Sequence, residues 1–157
     1  MKTVLPLLIV LAAGFVQGPP WAHFSRSRTI DRVKEVVEIG SGKSNANGDF
    51  KYILKITRQR NGGKPAVRWT GSTACPVVSI LVKNMTTIVM PKPAPYGVPG
   101  VSQDIVLDGS YYELNAPSTD VQGSFTISSN EGTSLSLWID NSLNSLSSCW
   151  SASPPRQ

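Results

Sequence analysis

Histidine and cysteine are rare in this chain, and their scarcity excludes several kinds of site. His23 is the only histidine, and Cys75 and Cys149 are the only cysteines. A structural zinc site needs four ligands drawn mostly from these two residue types, so the sequence predicts no metal centre. A catalytic triad would depend on His23 alone, and no Gly-x-Ser-x-Gly sequence is present to hold a nucleophilic serine. We therefore expect neither a catalytic residue of this kind nor a cofactor.

A glycine loop for binding phosphate is also missing. Residues 40–44 contain Gly-Lys-Ser, but the P-loop pattern requires a glycine at position 37, where the chain has valine. We interpret this segment as a connection between strands.

Long apolar runs occur only at the start of the chain. Lys2 precedes an apolar run from Val4 to Val16, which ends in Gln-Gly-Pro-Pro at 17–20. A cationic start, a short apolar stretch and a small-residue exit are typical of a secretory signal peptide. The run is too short for a stable membrane-spanning helix. We predict a signal peptide at 1–18 and one periplasmic or extracellular domain at 19–157, with no transmembrane segment.

The net charge of +5 is unevenly divided along the chain. Residues 19–94 contain thirteen Lys or Arg and four Asp or Glu, whereas residues 95–157 contain one cation and six acids. Such asymmetry can create a basic face for anionic partners. We expect instead that the two halves interleave in the fold, so that much of the charge is paired or solvated.

The two cysteines form an isolated pair in a chain that we expect to be exported. In an oxidising compartment such a pair favours one disulfide, and only one intramolecular connectivity exists. The bond would enclose 73 residues, a loop whose closure contributes roughly 4 kcal/mol in the chain-entropy account. We predict a Cys75–Cys149 disulfide.

Alternation of apolar and polar residues predicts a sheet. In 50–60, Tyr52, Leu54 and Ile56 share one face, and Asn-Gly-Gly at 61–63 predicts a turn into a returning strand. The other strands are predicted at 32–39, 66–69, 105–107, 111–114 and 123–128.

In two segments the apolar residues fit both the two-residue period of a strand and the 3.6-residue period of a helix. The helical period accounts for more of these residues. In 75–90 these residues form one helical stripe, and Pro76 and Pro91 suit a helix start and stop. In 133–150 they fall within about 140° of arc, and Thr133 suits an N-cap. We predict a helix for each segment.

The predicted helices place Cys75 at the start of one and Cys149 at the end of the other, and antiparallel neighbours bring such ends together. We predict an α+β fold, with an antiparallel sheet and two helices on one face, joined by the disulfide. An all-β sandwich is the alternative if both segments are strands. Residues 19–29 lack periodicity, and we expect a loose N-terminal arm there.

Paired carboxylates are the remaining catalytic possibility. The closest candidates are Glu35 with Glu38 and Asp104 with Asp108, and Glu113 lies on a predicted strand. A glycosidase needs one protonated and one ionised carboxyl group at a defined separation. Nothing in the sequence identifies such a pair, so a small secreted hydrolase is our alternative hypothesis.

Features suited to binding are clearer. A basic set could dock on an anionic surface; its members are Arg26, Arg28, Arg32 and Lys34. The stiff proline-rich segment 91–100 could present Tyr96 as an anchor. Of the adjacent Tyr111 and Tyr112, which point to opposite faces of a strand, one should face outward and could stack on a sugar.

These features favour an exported, non-catalytic binding or interaction protein. We expect its partner to be another protein or an anionic surface component, and we expect no nucleic acid. A structural component of the cell envelope is a further alternative.

Overall fold

A computed structural model of the chain describes residues 19–42, 44, 48, 50–92, 95, 98–99, 109–119 and 123–155. Within them, a six-stranded antiparallel sheet and two helices confirm the predicted α+β fold over the sandwich. The strands are β1 (Ala22–Arg28), β2 (Val33–Ser41), β3 (Tyr52–Arg60), β4 (Ala66–Gly71), β5 (Ser110–Pro117) and β6 (Ser124–Ser129). The helices are α1 (Val77–Asn84), which continues as a 3₁₀ turn (Met85–Thr87), and α2 (Ser134–Ser145). The signal peptide predicted at 1–18 and the strand predicted at 105–107 lie outside the described residues.

Strand β1 lies in the middle of the sheet, whose order is β4-β3-β2-β1-β5-β6. The expected loose arm at 19–29 is therefore wrong. Ala22 and Phe24 are buried, but the next positions on the same face are Arg26 and Arg28. The alternation of apolar residues is thus too short to predict a strand from the sequence. In the structure, pairing with β2 on one side and β5 on the other holds the segment in place.

One face of the sheet carries the core. A row of cross-strand neighbours runs over five strands, and all of its members are buried: Ile56, Val37, Phe24, Leu114 and Ile127. Both helices bury apolar side chains in this core, and the Trp138 ring of α2 lies edge-on to Phe24 at 5.1 Å between centroids. The two helices therefore cover the same face, as predicted. The opposite face of the sheet is mostly polar.

Both helices are shorter than predicted. The first ends at Asn84 and the second at Ser145. Thr133 caps α2 as expected: its Oγ1 accepts a hydrogen bond from the Ser136 N–H at 3.1 Å, and the Ser136 Oγ accepts one from the Thr133 N–H at 2.9 Å. This reciprocal capping box compensates for the many serines that weaken the helix propensity of α2.

The disulfide joins the start of α1 to the turn after α2. Cys75 and Cys149 are bonded, with 5.9 Å between their Cα atoms. At the other ends of the helices, the Val89 N–H donates to the Ser134 Oγ at 3.0 Å. These two contacts show the antiparallel arrangement that the sequence predicts.

The C-terminal segment covers the outer edge of β4. Trp69 and Ser151 exchange two backbone hydrogen bonds of 2.8 Å each. Further along, Pro155 lies beside Gly71, where a Cβ would come within 3.4 Å of the proline ring. An edge strand offers unpaired backbone groups to other chains, and this segment satisfies part of that edge.

The two halves of the chain do not interleave in the sheet. Strands β1 to β4 are contiguous, and β5 and β6 follow beside β1. The expected interleaving is therefore not found in the sheet, because neighbours in the chain remain neighbours there. The expected pairing of charge is found, since Arg26, Arg28, Lys55 and Arg58 each form an ion pair. Lys and Arg concentrate on the side of β1 to β4, whereas residues 109–155 contain neither residue type.

Candidate functional site

Two hairpin turns lie side by side at one end of the sheet. The β1–β2 turn spans 29–32 and the β3–β4 turn spans 61–65. The Asn61 N–H donates to the Arg32 carbonyl oxygen at 3.0 Å and joins the turns. Arg32 and Gly62 have positive φ values of 51° and 70°, a backbone conformation that tight turns require.

The β1–β2 turn is held by further contacts. Asp31 accepts a hydrogen bond from the Val33 N–H at 3.3 Å and forms an ion pair with Arg28 at 2.8 Å. The Thr29 hydroxyl donates to the Gly109 carbonyl oxygen at 2.8 Å. The turn is therefore fixed both within itself and to the residue that precedes β5.

Cations cluster around these two turns. We call the cluster the basic end; its members are Arg28, Arg32, Lys34, Arg58, Arg60, Lys64 and Arg68. Two members are paired, since Arg28 contacts Asp31 and Arg58 contacts Glu35. The other five are exposed and form no ion pair with a described residue. Arg58 and Arg68 lie on the face that the helices cover, and Lys34 lies on the polar face. The excess positive charge is therefore distributed over both faces of this end of the sheet.

Glu35 balances the inner side of the basic end. Its side chain is 1% exposed and lies between two arginines. One carboxylate oxygen accepts hydrogen bonds from Arg26 at 2.9 and 2.5 Å. The other accepts a hydrogen bond from Arg58 at 2.8 Å and forms an ion pair with a second Arg58 nitrogen at 2.5 Å. Burial alone would raise the pKa of Glu35, but the hydrogen bonds and positive charge of both arginines lower it. Glu35 is therefore held ionised, and both of its oxygens are engaged by arginines rather than available for catalysis.

Arg26 faces the helices rather than the surface. Besides Glu35, it donates to Asp140 of α2 at 2.7 Å, and Asp140 accepts from the Tyr112 hydroxyl at 2.9 Å. Burial works to lower the pKa of Arg26, but its bonds and charge pairing with Glu35 and Asp140 raise it. Arg26 thus ties α2 to the sheet and does not contribute to the exposed basic surface.

The other residues predicted to bind a partner fall into two groups. Arg28, Arg32 and Lys34 belong to the basic end. Tyr96 lies outside the described residues. Sequence reasoning missed the β3–β4 hairpin as part of the same surface. The sequence already contained a signal for it, because Arg58, Arg60 and Lys64 lie on either side of a predicted tight turn.

The predicted carboxylate pairs do not come together where they are described. Glu35 and Glu38 lie three residues apart in β2 and therefore on opposite faces of the sheet. Glu113 lies on the polar face, 3.8 Å from His23. Asp104 and Asp108 lie outside the described residues. His23 itself lies in the central strand β1, within the segment expected to form a loose arm.

Aromatic side chains are divided between the two faces. Tyr112 is 3% exposed, and burial, together with its hydrogen bond to Asp140, raises its pKa. Tyr111 points the opposite way and is 45% exposed, as the alternation predicts. On the polar face the Lys55 ammonium lies 5.9 Å from the centroid of the Trp69 ring. Trp69 is therefore already engaged by a neighbouring cation.

A groove lies at the other end of β3, beside α1. It has a volume of about 860 Å³ and is lined by Lys51 and Lys83 together with the aromatic rings of Phe50 and Tyr52. The sequence did not indicate this groove, because its walls come from segments about 30 residues apart. It is the second place where cations face an accessible surface.

Neither a metal nor a membrane span is evident in the part of the chain that the structure describes. No three His, Cys, Asp or Glu side chains there could hold a metal ion together. Neither α1 nor α2 is long and apolar enough to cross a membrane. Comparison of the chain with protein-family models, curated proteins and solved structures finds no match.

Proposed function

We propose that this protein is an exported, non-catalytic binding protein that attaches to an anionic partner through the basic end. The observation that carries the proposal is the gathering of seven cations by two adjacent turns. The two acids among them, Asp31 and Glu35, are occupied by Arg28, Arg26 and Arg58. The remaining cations are available to anions from outside.

The geometry of the turns favours binding. The backbone of the fixed turns needs no further ordering when a partner binds, so the entropy cost is confined to the side chains and more of the interaction energy contributes to affinity. A surface of one charge sign also attracts an oppositely charged partner over several ångströms and speeds association. Export remains part of the proposal, and the disulfide is compatible with it because such bonds persist in oxidising compartments.

The hydrolase alternative has less support. A carboxyl group acting as a general acid needs a raised pKa. Glu35, the most buried carboxylate described, has a lowered pKa and accepts three hydrogen bonds from arginines. A binding function therefore accounts better for the charges that the structure brings together.

Retention on an immobilised polyanion, dextran sulfate, tests the proposal. The test variant replaces three exposed cations of the basic end with glutamine: Lys34, Arg60 and Lys64. The matched control replaces three exposed cations elsewhere: Lys51, Lys83 and Lys92. Both variants lose three positive charges, so net charge alone cannot separate them.

We expect the test variant to elute at clearly lower salt than the unmodified protein, and the control to elute close to it, because exposed charge contacts are screened by salt. Equal shifts for the two variants would mean that net charge, and not the basic end, governs retention. A larger shift for the control would move the site to the groove beside α1.

A further inference from the structure

We propose that the anionic partner is a lipid bilayer and that Ile30 inserts into it while the basic end contacts the headgroups. This inference rests on the proposed function and specifies its partner. Ile30 lies at the tip of the β1–β2 turn and is 89% exposed, the highest value among the large apolar side chains that are described. An isolated exposed apolar residue is ordinary, so its setting must carry the inference.

That setting is rigid. The residues around Ile30 are held by the Thr29–Gly109 hydrogen bond, by the Asp31 contacts with Arg28 and Val33, and by the link from Asn61 to Arg32. The turn therefore projects Ile30 in a defined direction, and docking it requires little additional ordering.

The setting is also cationic. Arg32 lies two residues after Ile30, and the β3–β4 turn with Arg60 and Lys64 lies beside it. Arg28, two residues before Ile30, is paired with Asp31 and is not counted among the free cations. Near an anionic bilayer each basic residue strengthens binding roughly fivefold. An apolar tip with exposed cations beside it matches a bilayer, whose phosphates lie just outside its acyl chains.

The apolar tip distinguishes a bilayer from a soluble polyanion. A sulfated or phosphorylated polysaccharide satisfies the cations but offers Ile30 no hydrocarbon. Moving an exposed isoleucine side chain from water into hydrocarbon corresponds to an affinity gain of roughly ten- to hundredfold. The inserted side chain and the basic residues therefore add two separate contributions to a reversible attachment.

The test compares Ile30→Ser with Leu137→Ser. Leu137 is 60% exposed on α2, in a segment without Lys or Arg, so it controls for loss of an exposed apolar side chain. Binding is measured by co-sedimentation with vesicles that contain phosphatidylglycerol and phosphatidylcholine, and with vesicles of phosphatidylcholine alone. Dextran sulfate retention is measured in parallel, and thermal melting confirms that both variants fold.

We expect Ile30→Ser to bind the anionic vesicles at least tenfold more weakly while its dextran sulfate elution is unchanged, and Leu137→Ser to match the unmodified protein in both. Unchanged vesicle binding by Ile30→Ser would overturn the insertion. Retention on dextran sulfate without vesicle binding would also overturn it but leave the proposed function intact, with a polysaccharide as partner. Failure to bind either probe would overturn both proposals.

Discussion

The sheet has two sides, one formed by β1 to β4 and the other by β5 and β6, and they differ in charge far more than in architecture. Strands β1 to β4 form antiparallel hairpins, and so do β5 and β6. Nevertheless, residues 19–94 carry thirteen Lys or Arg, whereas residues 109–155 carry none. Because consecutive strands stay adjacent, a charge gradient along the sequence becomes a gradient across the molecule. The fold thus turns an unremarkable net charge of +5 into a one-sided basic surface.

Besides the backbone pairing of β1 with β5, specific side-chain contacts and the disulfide join the two sides. The Arg26–Asp140 ion pair connects β1 to α2, and Arg26 shares Glu35 with Arg58 of β3. The disulfide joins the start of α1 to the turn after α2. Substitution of the residues in these contacts tests how strongly the two sides depend on each other.

The largest effect is expected from Glu35→Gln. This change removes the buried anion that Arg26 and Arg58 share, and loss of one partner of a buried ion pair costs about 3–5 kcal/mol. Because Arg26 keeps Asp140 and the Arg58 side chain is 61% exposed, we expect the lower end of that range. Urea unfolding at neutral pH should show a loss of this size. The matched control is Glu38→Gln, whose ion pair with Lys55 is on the partly exposed polar face and should be worth at most about 1 kcal/mol. Similar losses for both variants would contradict the central role of Glu35.

Removal of the disulfide should cause the next largest loss of stability. Replacing Cys75 and Cys149 together with alanine frees a crosslink between residues 74 apart, and such crosslinks typically contribute about 2–4 kcal/mol. Thermal melting of the double variant should match that of the reduced unmodified protein. A double variant as stable as the oxidised protein would show that packing alone holds the two helices together.

Acid should weaken the link through Glu35. Burial on its own would raise the Glu35 pKa, but Arg26 and Arg58 lower it below the ordinary value of 4.5. The folded protein therefore binds this proton less readily than the unfolded chain does. The resulting stability is fully present above the unfolded pKa and is lost as pH falls through the folded pKa. We expect the unmodified protein to lose stability on acidification more steeply than Glu35→Gln, and parallel pH profiles would contradict this assignment.

Most elements were predictable because their patterns are local. The alternation of Tyr52, Leu54 and Ile56, and the capping position of Thr133, each depend on a few neighbouring residues. β1 was not predictable, because Arg26 occupies an inward position that only Glu35 and Asp140 make tolerable. Likewise, the edge contact between Trp69 and Ser151 joins residues too distant to show any pattern.

The candidate site was predictable only in part for the same reason. Arg28, Arg32 and Lys34 are close in sequence and stood out as a basic set. Their union with Arg60 and Lys64 depends on the alignment of two hairpins, which the strand register determines.

The smallest effect is expected at the start of α2, and it tests whether the two helices are held differently. Thr133 completes a capping box on α2, whereas Pro76, the residue before α1, provides no side-chain cap. Thr133→Ala removes the acceptor for the Ser136 N–H and should cost about 1 kcal/mol, measured by thermal melting. Thr133→Ser keeps a hydroxyl oxygen in place and should recover most of the loss. If serine fails to do so, the methyl group of Thr133 and not its cap matters. The start of α2 would then depend on side-chain packing, as the uncapped α1 does.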